Sequence, residues 1–299
     1  MKASLWHLMI VFCLLSIRLS GNEPIQQSAQ HVQEQLAGML ETDNHLGVIT
    51  LIDSLRNAGE YTQELSWQYA RSLFQSARYD QAKDSLLKFE MDPMRSTQAK
   101  NMLVTIAIQQ RREMEAVRHL IQLRDRYPEN PVYPHRLARV FVSINQLPAA
   151  EGQLALANRL DTLNQAVIAE WADVLLKMDA ARRALGILER GLRMSPENIG
   201  FRRQKAVIDF RLQRYDQVIR NVGFLTEKGD TTPQIVKILA FSYFHTGALD
   251  KSEQWITYLL DNEFNGEDIF YYKARIMSAK GEKEAAQDYY RLAVHYCLS

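Results

Sequence analysis

Cysteine and surplus charge are both scarce in this sequence of 299 residues. The two cysteines, Cys13 and Cys297, are too few for a metal–thiolate cluster, so chemistry that depends on one is excluded. The 36 basic residues nearly balance the 35 acidic ones and 46% of residues are hydrophobic, which excludes charge-rich disorder and favours a folded protein. This balance, with no dense block of Lys and Arg, also argues against nucleic acid as the main partner.

Catalytic and cofactor-binding motifs are missing as well. The sequence has no HExxH zinc motif, no GxSxG nucleophile elbow, no phosphate-binding loop and no GxGxxG fingerprint. The histidines are scattered, and no two of them lie within four residues of each other. We therefore predict a protein that is not an enzyme and that uses neither a cofactor nor a metal.

Long apolar runs are rare, and the longest lies near the N-terminus. Lys2 precedes LWHLMIVFCLLSI at residues 5–17, and the small residues Ser20 and Gly21 follow. Thirteen residues are too few to cross a hydrocarbon core of about 30 Å as a helix. This arrangement is typical of a secretory signal peptide at residues 1–21 and predicts an exported protein of the periplasm or cell envelope. The alternative is an uncleaved segment that anchors the protein in the inner membrane.

The rest of the chain contains a repeat with a period of 34 residues. A mostly small residue recurs at Ala82, Ala116, Ala150, Ala184, Val218, Ser252 and Ala286. Twelve residues before each of these lies another series, Ala70, Val104, Ala138, Ala172, Ala206, Ala240 and Ala274. A large side chain follows four residues after the first series, from Leu86 to Tyr290, without insertion or deletion. This regularity predicts one structural unit repeated along the chain.

Each unit carries two helical patterns when its residues are numbered from 1 to 34, starting at residue 63. Positions 4, 7, 8 and 11 share one helix face, and positions 20, 24 and 27 share another. Small residues at positions 8 and 20 let the two helices approach closely. Position 15 lies between them and is Asn145, Gly247 or Gly281 in three units, where a left-handed residue can end the first helix.

A helix–turn–helix unit of this length and spacing resembles the tetratricopeptide repeat family. Unit 165–198 carries Trp171, Ala172, Leu175, Ala184, Leu188, Gly191 and Pro196 at the family's pattern positions. The resemblance implies an all-α, right-handed superhelical solenoid of antiparallel helix pairs. It covers seven units, 63–96, 97–130, 131–164, 165–198, 199–232, 233–266 and 267–299, after a degenerate N-terminal repeat or cap at 22–62.

Some units depart from the family pattern. Lys205 and Lys273 occupy position 7, Asp209 occupies position 11 and Asp230 occupies position 32.

First helices of such repeats line a concave groove, to which positions 2, 5, 9 and 12 point. From positions 5 and 9 we predict that the partner-binding groove contains Trp67, Arg71, Asn101, Thr105, His135, Arg139, Arg203, Lys237, Phe241, Tyr271 and Arg275. Cations interleaved with aromatic rings favour another protein as partner, with an extended or helical segment that carries acidic groups. The alternative is a row of solvated charges without a ligand.

A second contact surface is predicted in the last helix, EKEAAQDYYRLAVHYCLS. Helical spacing places Tyr289, Leu292 and Tyr296 along one side, while Tyr290 is expected to pack inward. This C-terminal patch could bind a second copy or a partner's helix, and a monomeric protein is the alternative.

Together these features predict a non-enzymatic exported scaffold or adaptor that acts in bacterial envelope assembly or secretion. Two alternatives stay open. One is an accessory or regulatory subunit of an envelope enzyme or secretion machine, and the other is a protein that binds cell-wall glycan through Trp67, Tyr271 and the arginines.

Overall fold

The computed structural model describes residues 23–298, so the signal peptide predicted at residues 1–21 lies outside the described residues. Within the described part the chain forms sixteen α-helices and no strand. They are α1 (Glu23–Glu41), α2 (His45–Asn57), α3 (Gln63–Gln75), α4 (Tyr79–Leu87), α5 (Ser96–Gln109), α6 (Glu113–Arg126), α7 (Val132–Ser143), α8 (Leu147–Leu160), α9 (Gln165–Lys177), α10 (Ala181–Met194), α11 (Ile199–Arg211), α12 (Tyr215–Glu227), α13 (Pro233–His245), α14 (Leu249–Asp261), α15 (Glu267–Lys280) and α16 (Lys283–Leu298). The predicted all-α repeat fold is confirmed. None of the helices in residues 23–298 combines the length and apolar character needed to cross a bilayer.

The helices follow one another as antiparallel pairs, and α3 with α4, α9 with α10, and α15 with α16 are examples. Small residues at positions 8 and 20 form the contact within each pair, and none of them is more than 4% exposed. At Ser252 the approach is close enough for the hydroxyl to donate a hydrogen bond to the carbonyl of Ala240, at 2.8 Å. The predicted roles of positions 8 and 20 in packing therefore hold along the repeat.

A left-handed residue ends the first helix in all seven units, not only in the three predicted. These residues are Ala77, Arg111, Asn145, Asp179, Gln213, Gly247 and Gly281, and φ is between 54° and 57° for the five that are not glycine. At Gln213 the turn is closed by a hydrogen bond from the N–H of Arg214 to the carbonyl of Asp209, at 2.8 Å. The turn is thus formed by backbone hydrogen bonds, and residues other than glycine can also adopt its left-handed conformation.

The described part of the chain divides into two compact units, which lie within Met1–His119 and Leu120–Ser299. In the N-terminal unit, α1 to α5 pack in sequence order, each on the next. The pair α1–α2 has Leu36 at position 8, where most other units have alanine, and Leu36 packs in one cluster with Val48 and Ile52. A larger cluster around Leu73, Leu86 and Leu103 joins the following helices.

In the C-terminal unit each helix packs on the helix that follows it in sequence, from α7 to α16. First helices also touch first helices, since α9 contacts α11, α11 contacts α13 and α13 contacts α15. We call these four helices the inner row. Their packing places the exposed residues of consecutive repeats side by side.

The departures from the family pattern are compensated by polar contacts. Lys205 forms an ion pair with Asp209, whose side chain is 0% exposed, and Arg214 approaches the other carboxylate oxygen at 3.4 Å. Lys273 donates to Glu253 at 2.9 Å and to Thr257 at 3.1 Å. Polar residues thus occupy sites where the repeat pattern has apolar ones, and each is paired inside the protein.

Candidate partner-binding surface

The predicted row of cations is largely paired within the protein. In the C-terminal unit, Arg203 Nε donates to Asp230 Oδ2 at 2.6 Å, and Lys237 Nζ donates to Asp268 Oδ2 at 2.7 Å. Each of these carboxylates belongs to the next helix pair or to the turn before it, about one repeat further along the chain. Stacking of the repeats thus brings an internal carboxylate to each of these two cations, and their binding to an acidic partner stays a prediction.

The first ion pair is strongly asymmetric in its exposure. The Arg203 side chain is 47% exposed, whereas that of Asp230 is 3% exposed. Burial raises the pKa of the Asp230 carboxyl, but hydrogen bonds from Arg203 and from the backbone N–H of Thr232 outweigh it, and the pKa is lowered overall. Asp230 is thus a buried anion that depends on Arg203, and this gives the arginine a structural role.

Two other predicted groove residues share one carboxylate. His135 Nε2 lies 3.0 Å from Glu170 Oε2, and Arg139 Nε lies 3.9 Å from Glu170 Oε1. The Arg139 side chain is 69% exposed and the second distance is long, so its guanidinium remains accessible to solvent and to a partner.

Arg275 on α15 differs from Arg203 and Lys237 in its partners. Its guanidinium carbon lies 4.6 Å from the ring centroid of Phe244 and 5.7 Å from that of Tyr271. Among residues 23–298 no carboxylate lies within ion-pair distance of it, and its side chain is half-buried. The charge of Arg275 is therefore held by aromatic faces and not by an anion.

Aromatic side chains from α12, α13 and α15 converge beside Arg275. Phe241 stacks on Tyr272 with centroids 3.8 Å apart, and Phe244 meets Tyr272 edge-on at 5.2 Å. His245 stacks on Tyr215 at 4.4 Å, and its Nε2 lies 2.8 Å from the Tyr272 hydroxyl. We call Tyr215, Phe241, Phe244, His245 and Tyr272 the aromatic cluster.

Two titratable groups of the aromatic cluster have shifted pKa values. Burial lowers the pKa of His245, and the nearby charge of Arg275 lowers it further, so the imidazole is neutral at neutral pH. Burial is also the main cause that raises the pKa of Tyr272. At neutral pH, Arg275 is thus the positive charge beside the aromatic cluster that is available to a ligand.

Solved structures with a similar arrangement of helices identify the fold. A tetratricopeptide repeat protein from Parabacteroides merdae matches with a TM-score of 0.51 at 15% identity, over 84% of this chain and 93% of that one. YrrB, a TPR protein with an unusual peptide-binding site, matches with a TM-score of 0.52 at 16% identity, over 59% of this chain and 91% of its own.

The chain has the tetratricopeptide repeat fold. PilW, a type IV pilus biogenesis factor, is a further match with a TM-score of 0.50 at 14% identity, over 64% of this chain and 90% of that one. No protein-family model matches the sequence, and no curated protein matches it.

Two aromatic residues predicted to line the tetratricopeptide groove are buried instead. Trp67 is 5% exposed and packs edge-on against Phe89 at 5.0 Å, within the N-terminal unit. Phe241 is also 5% exposed, beneath Tyr272. Both predictions of an open groove contact are wrong, because each ring is large enough to reach a neighbouring ring and to pack against it.

The remaining groove residues of the N-terminal unit are polar. Asn101 and Thr105 are half-buried and hydrogen-bond to backbone carbonyls one turn earlier, at 2.9 Å and 3.1 Å. Arg71 is exposed and lies 3.4 Å from Gln68. In the C-terminal unit, Tyr271 is 43% exposed and is open to a ligand.

Positions 5 and 9 of the repeat include only Phe241 from the aromatic cluster. Phe244 stands at position 12, which also points to the groove, while Tyr272 and His245 stand at positions 6 and 13. The segment FSYFH at 241–245 carries three rings and a histidine in five residues and is the signal that could have identified the cluster.

The predicted C-terminal patch is partly covered by its own helix pair. Tyr289 is half-buried and stacks on Phe270 at 6.5 Å, and the Tyr296 ring lies 5.0 Å from the same ring. Leu292 and Tyr296 keep 40% and 41% exposure. Tyr290 was expected to pack inward but is 38% exposed, because it turns toward Tyr271, 6.0 Å away. A binding role for this patch stays a prediction.

Proposed function

We propose that this protein is a non-enzymatic adaptor that binds a segment of a partner protein on the inner row of its C-terminal unit. Stacked helical repeats provide extended surfaces of this kind, and short segments dock on them through a few anchoring side chains. The partner segment would lie across α13 and α15.

The observation that carries this proposal is the convergence, at α13 and α15, of exposed aromatic rings with an arginine that has no internal carboxylate among the described residues. Tyr271 is 43% exposed, His245 is exposed and Arg275 has no internal carboxylate among residues 23–298. Tyrosine and arginine are the residue types that most often anchor protein interfaces. Lys237 on α13 and Arg203 on α11 are paired internally, so they are less available to a partner.

The location we propose is the bacterial envelope, after export directed by residues 1–21. This rests on the composition of that segment. Two of the similar structures are of proteins described as having a peptide-binding site and as a pilus biogenesis factor, and both roles suit an adaptor of this kind. Cell fractionation with mass measurement of the mature chain tests the location. An intact N-terminus on cytoplasmic protein would contradict it.

Site-specific photo-crosslinking tests the binding surface. A benzophenone amino acid replaces Tyr271, and in a control variant it replaces Arg220, an exposed residue of α12. Irradiation of cells that express each variant should give discrete adducts from position 271 and none from position 220. Adducts of equal strength from both positions, or none from position 271, would count against the proposal.

The same adducts distinguish the partner classes. Loss of the adduct on protease digestion indicates a protein, and loss on muramidase digestion indicates the cell-wall glycan of the alternative prediction. A single stoichiometric enzyme, identified by mass spectrometry, would favour the accessory-subunit alternative.

A further inference from the structure

We infer that the surface formed by Arg275, Tyr271 and Tyr290 is a binding site for a protein segment in which an Asp or Glu side chain stands next to an aromatic one. This inference rests on the proposed function and specifies the chemistry of the segment. Arg275 would bind the carboxylate, and the two tyrosines would contact the aromatic ring.

Charge complementarity indicates that the ligand of Arg275 carries a carboxylate. Arg203 and Lys237 each have a carboxylate oxygen within 2.7 Å, whereas no carboxylate in the described part of the chain lies within ion-pair distance of Arg275. The neighbouring anion Asp268 is already bound by Lys237. Arg275 is therefore a positive charge on the inner row without an ion-pair partner, and an anionic group of a ligand would pair with it.

The geometry of Arg275 suits a planar carboxylate. Contacts with the rings of Phe244 and Tyr271 restrain the guanidinium, while the N–H groups at its edge remain available as donors. Two parallel hydrogen bonds to one carboxylate are the strongest use of such an edge. Because the side chain is half-buried and already restrained, little conformational freedom is lost on binding.

The aromatic half of the ligand is indicated by the two exposed tyrosines. Tyr271 and Tyr290 are 43% and 38% exposed, and their ring centroids lie 6.0 Å apart at an interplanar angle of 60°. A third ring or an aliphatic side chain that covers them would remove apolar surface from water. These tyrosines come from α15 and α16, so the last helix of the chain contributes to the site.

A protein segment fits this surface better than a nucleic acid does. Nucleic-acid backbones are held by several cations in a row. Here the neighbouring cation Lys237 is bound to Asp268, and His245 is neutral at neutral pH. One available arginine beside two tyrosines matches a single acidic side chain with an apolar neighbour.

Selection of short random peptides by the full-length protein tests the inference. The displayed peptides are fused at their C-termini, so that side chains supply the carboxylates. We expect the enriched peptides to share an Asp or Glu within two residues of Phe, Tyr or Trp. Amidated synthetic copies should then bind in fluorescence anisotropy, and binding should weaken with added salt because an exposed ion pair is screened.

Matched variants locate the site. Arg275→Gln should weaken binding of the selected peptides about tenfold or more, which corresponds to about 1.4 kcal/mol. It should not change binding of peptides whose acid is replaced by Asn or Gln. Tyr271→Ala should lower affinity for the acid-bearing peptide and for its amide form alike. Arg220→Gln, an exposed arginine of α12, should leave affinity unchanged. Circular dichroism confirms that each variant is folded.

The outcomes separate this inference from the proposed function. Enriched peptides that lack an acid, or that bind Arg275→Gln as well as the original protein, would overturn the inference and leave a peptide-binding adaptor. Failure to enrich any peptide, together with an absence of crosslinks at position 271, would overturn both.

Discussion

Lys205 pairs with Asp209 one turn further along α11, at the two positions where most other repeats hold apolar side chains. The Asp209 side chain is 0% exposed and that of Lys205 is 14% exposed. Removing water from two charges costs free energy that their attraction only partly returns, so a buried pair of this kind need not stabilise the fold.

Replacing one partner of this ion pair should therefore lower the free energy of unfolding more than replacing both partners does. Asp209→Leu leaves the Lys205 ammonium buried without its partner, and we expect a loss of about 3 kcal/mol in the free energy of unfolding. The double variant Lys205→Leu/Asp209→Leu should recover most of that loss, since leucine occupies these two positions in other units at Leu137 and Leu175. Urea unfolding monitored by circular dichroism measures both. A double variant as unstable as Asp209→Leu would contradict the argument.

Gly191 on α10 has no room for a side chain. A Cβ there would lie 2.9 Å from Phe201 Cε2 and 3.1 Å from Ile168 Cγ2, and both neighbours are buried. We expect Gly191→Ala to lower the free energy of unfolding by about 1–3 kcal/mol through overpacking. Gly186→Ala on the same helix meets nothing within 4 Å and should raise it by about 0.5–1 kcal/mol, because alanine favours the helix. Equal effects from the two substitutions would show that packing at Gly191 is not limiting.

The fold could be predicted from the sequence because it depends on local, regular features. Small residues at positions 8 and 20 determine how closely two helices pack, and they recur without a break in phase. The charge pattern of the groove could not be predicted in the same way. Arg203 meets Asp230 at the end of its own unit, and Lys237 meets Asp268 at the start of the next unit. Each cation therefore has to be considered together with acids that lie about one repeat further along the chain.

The aromatic residues show the same limit. Trp67 and Phe241 stand at groove positions, yet each turns onto a ring of a neighbouring element. Helical spacing gives the direction in which a residue leaves the backbone, but a large side chain can reach beyond that face. Tyr271 keeps the predicted exposure, whereas Arg275 is half-buried beside the rings of Phe244 and Tyr271.

Replacing a left-handed turn residue with glycine should raise the stability of the fold. Gln213 holds a φ of 57° at position 15 and is exposed, whereas Gly247 occupies the same position two helices later. A left-handed conformation costs a residue other than glycine roughly 1–2 kcal/mol, and the greater freedom of glycine in the unfolded chain offsets part of that. We expect Gln213→Gly to stabilise by about 0.5–1 kcal/mol and Gly247→Ala to destabilise by a similar amount. Thermal unfolding of both variants measures this, and a loss of stability in Gln213→Gly would refute it.

His119 on α6 predicts a dependence of stability on pH. Its side chain is 1% exposed, and Nδ1 lies 3.2 Å from Glu90 Oε1. Burial lowers the pKa of His119 and outweighs the opposing effect of Glu90, with smaller effects of Glu115, which raises it, and of Arg118 and Lys100, which lower it. The folded protein therefore binds this proton less readily than the unfolded chain does.

The sign of the effect follows from linkage. An unfolded histidine has a pKa of about 6.5, so above that pH the imidazole is neutral in both the folded and the unfolded state. Protonation of His119 therefore does not lower the free energy of unfolding there. As the pH falls below about 6.5, the unfolded state takes up the proton first, and stability is lost at up to about 1.4 kcal/mol per pH unit. The buried carboxyl of Asp92, whose pKa is lowered, contributes only at more acidic pH.

Unfolding free energies measured in urea between about pH 5 and 7.5 test this prediction, because this range spans the ordinary pKa of histidine, about 6.5. His119→Gln removes the titrating group, and we expect a shallower slope in this window even if the variant is less stable throughout. Some slope should remain, because the pKa of His245 is lowered as well. His31→Gln, at an exposed histidine of α1, is the matched control and should keep the original slope. If His119→Gln and His31→Gln gave the same slope as the original protein, His119 would not be the group that limits stability at mildly acidic pH.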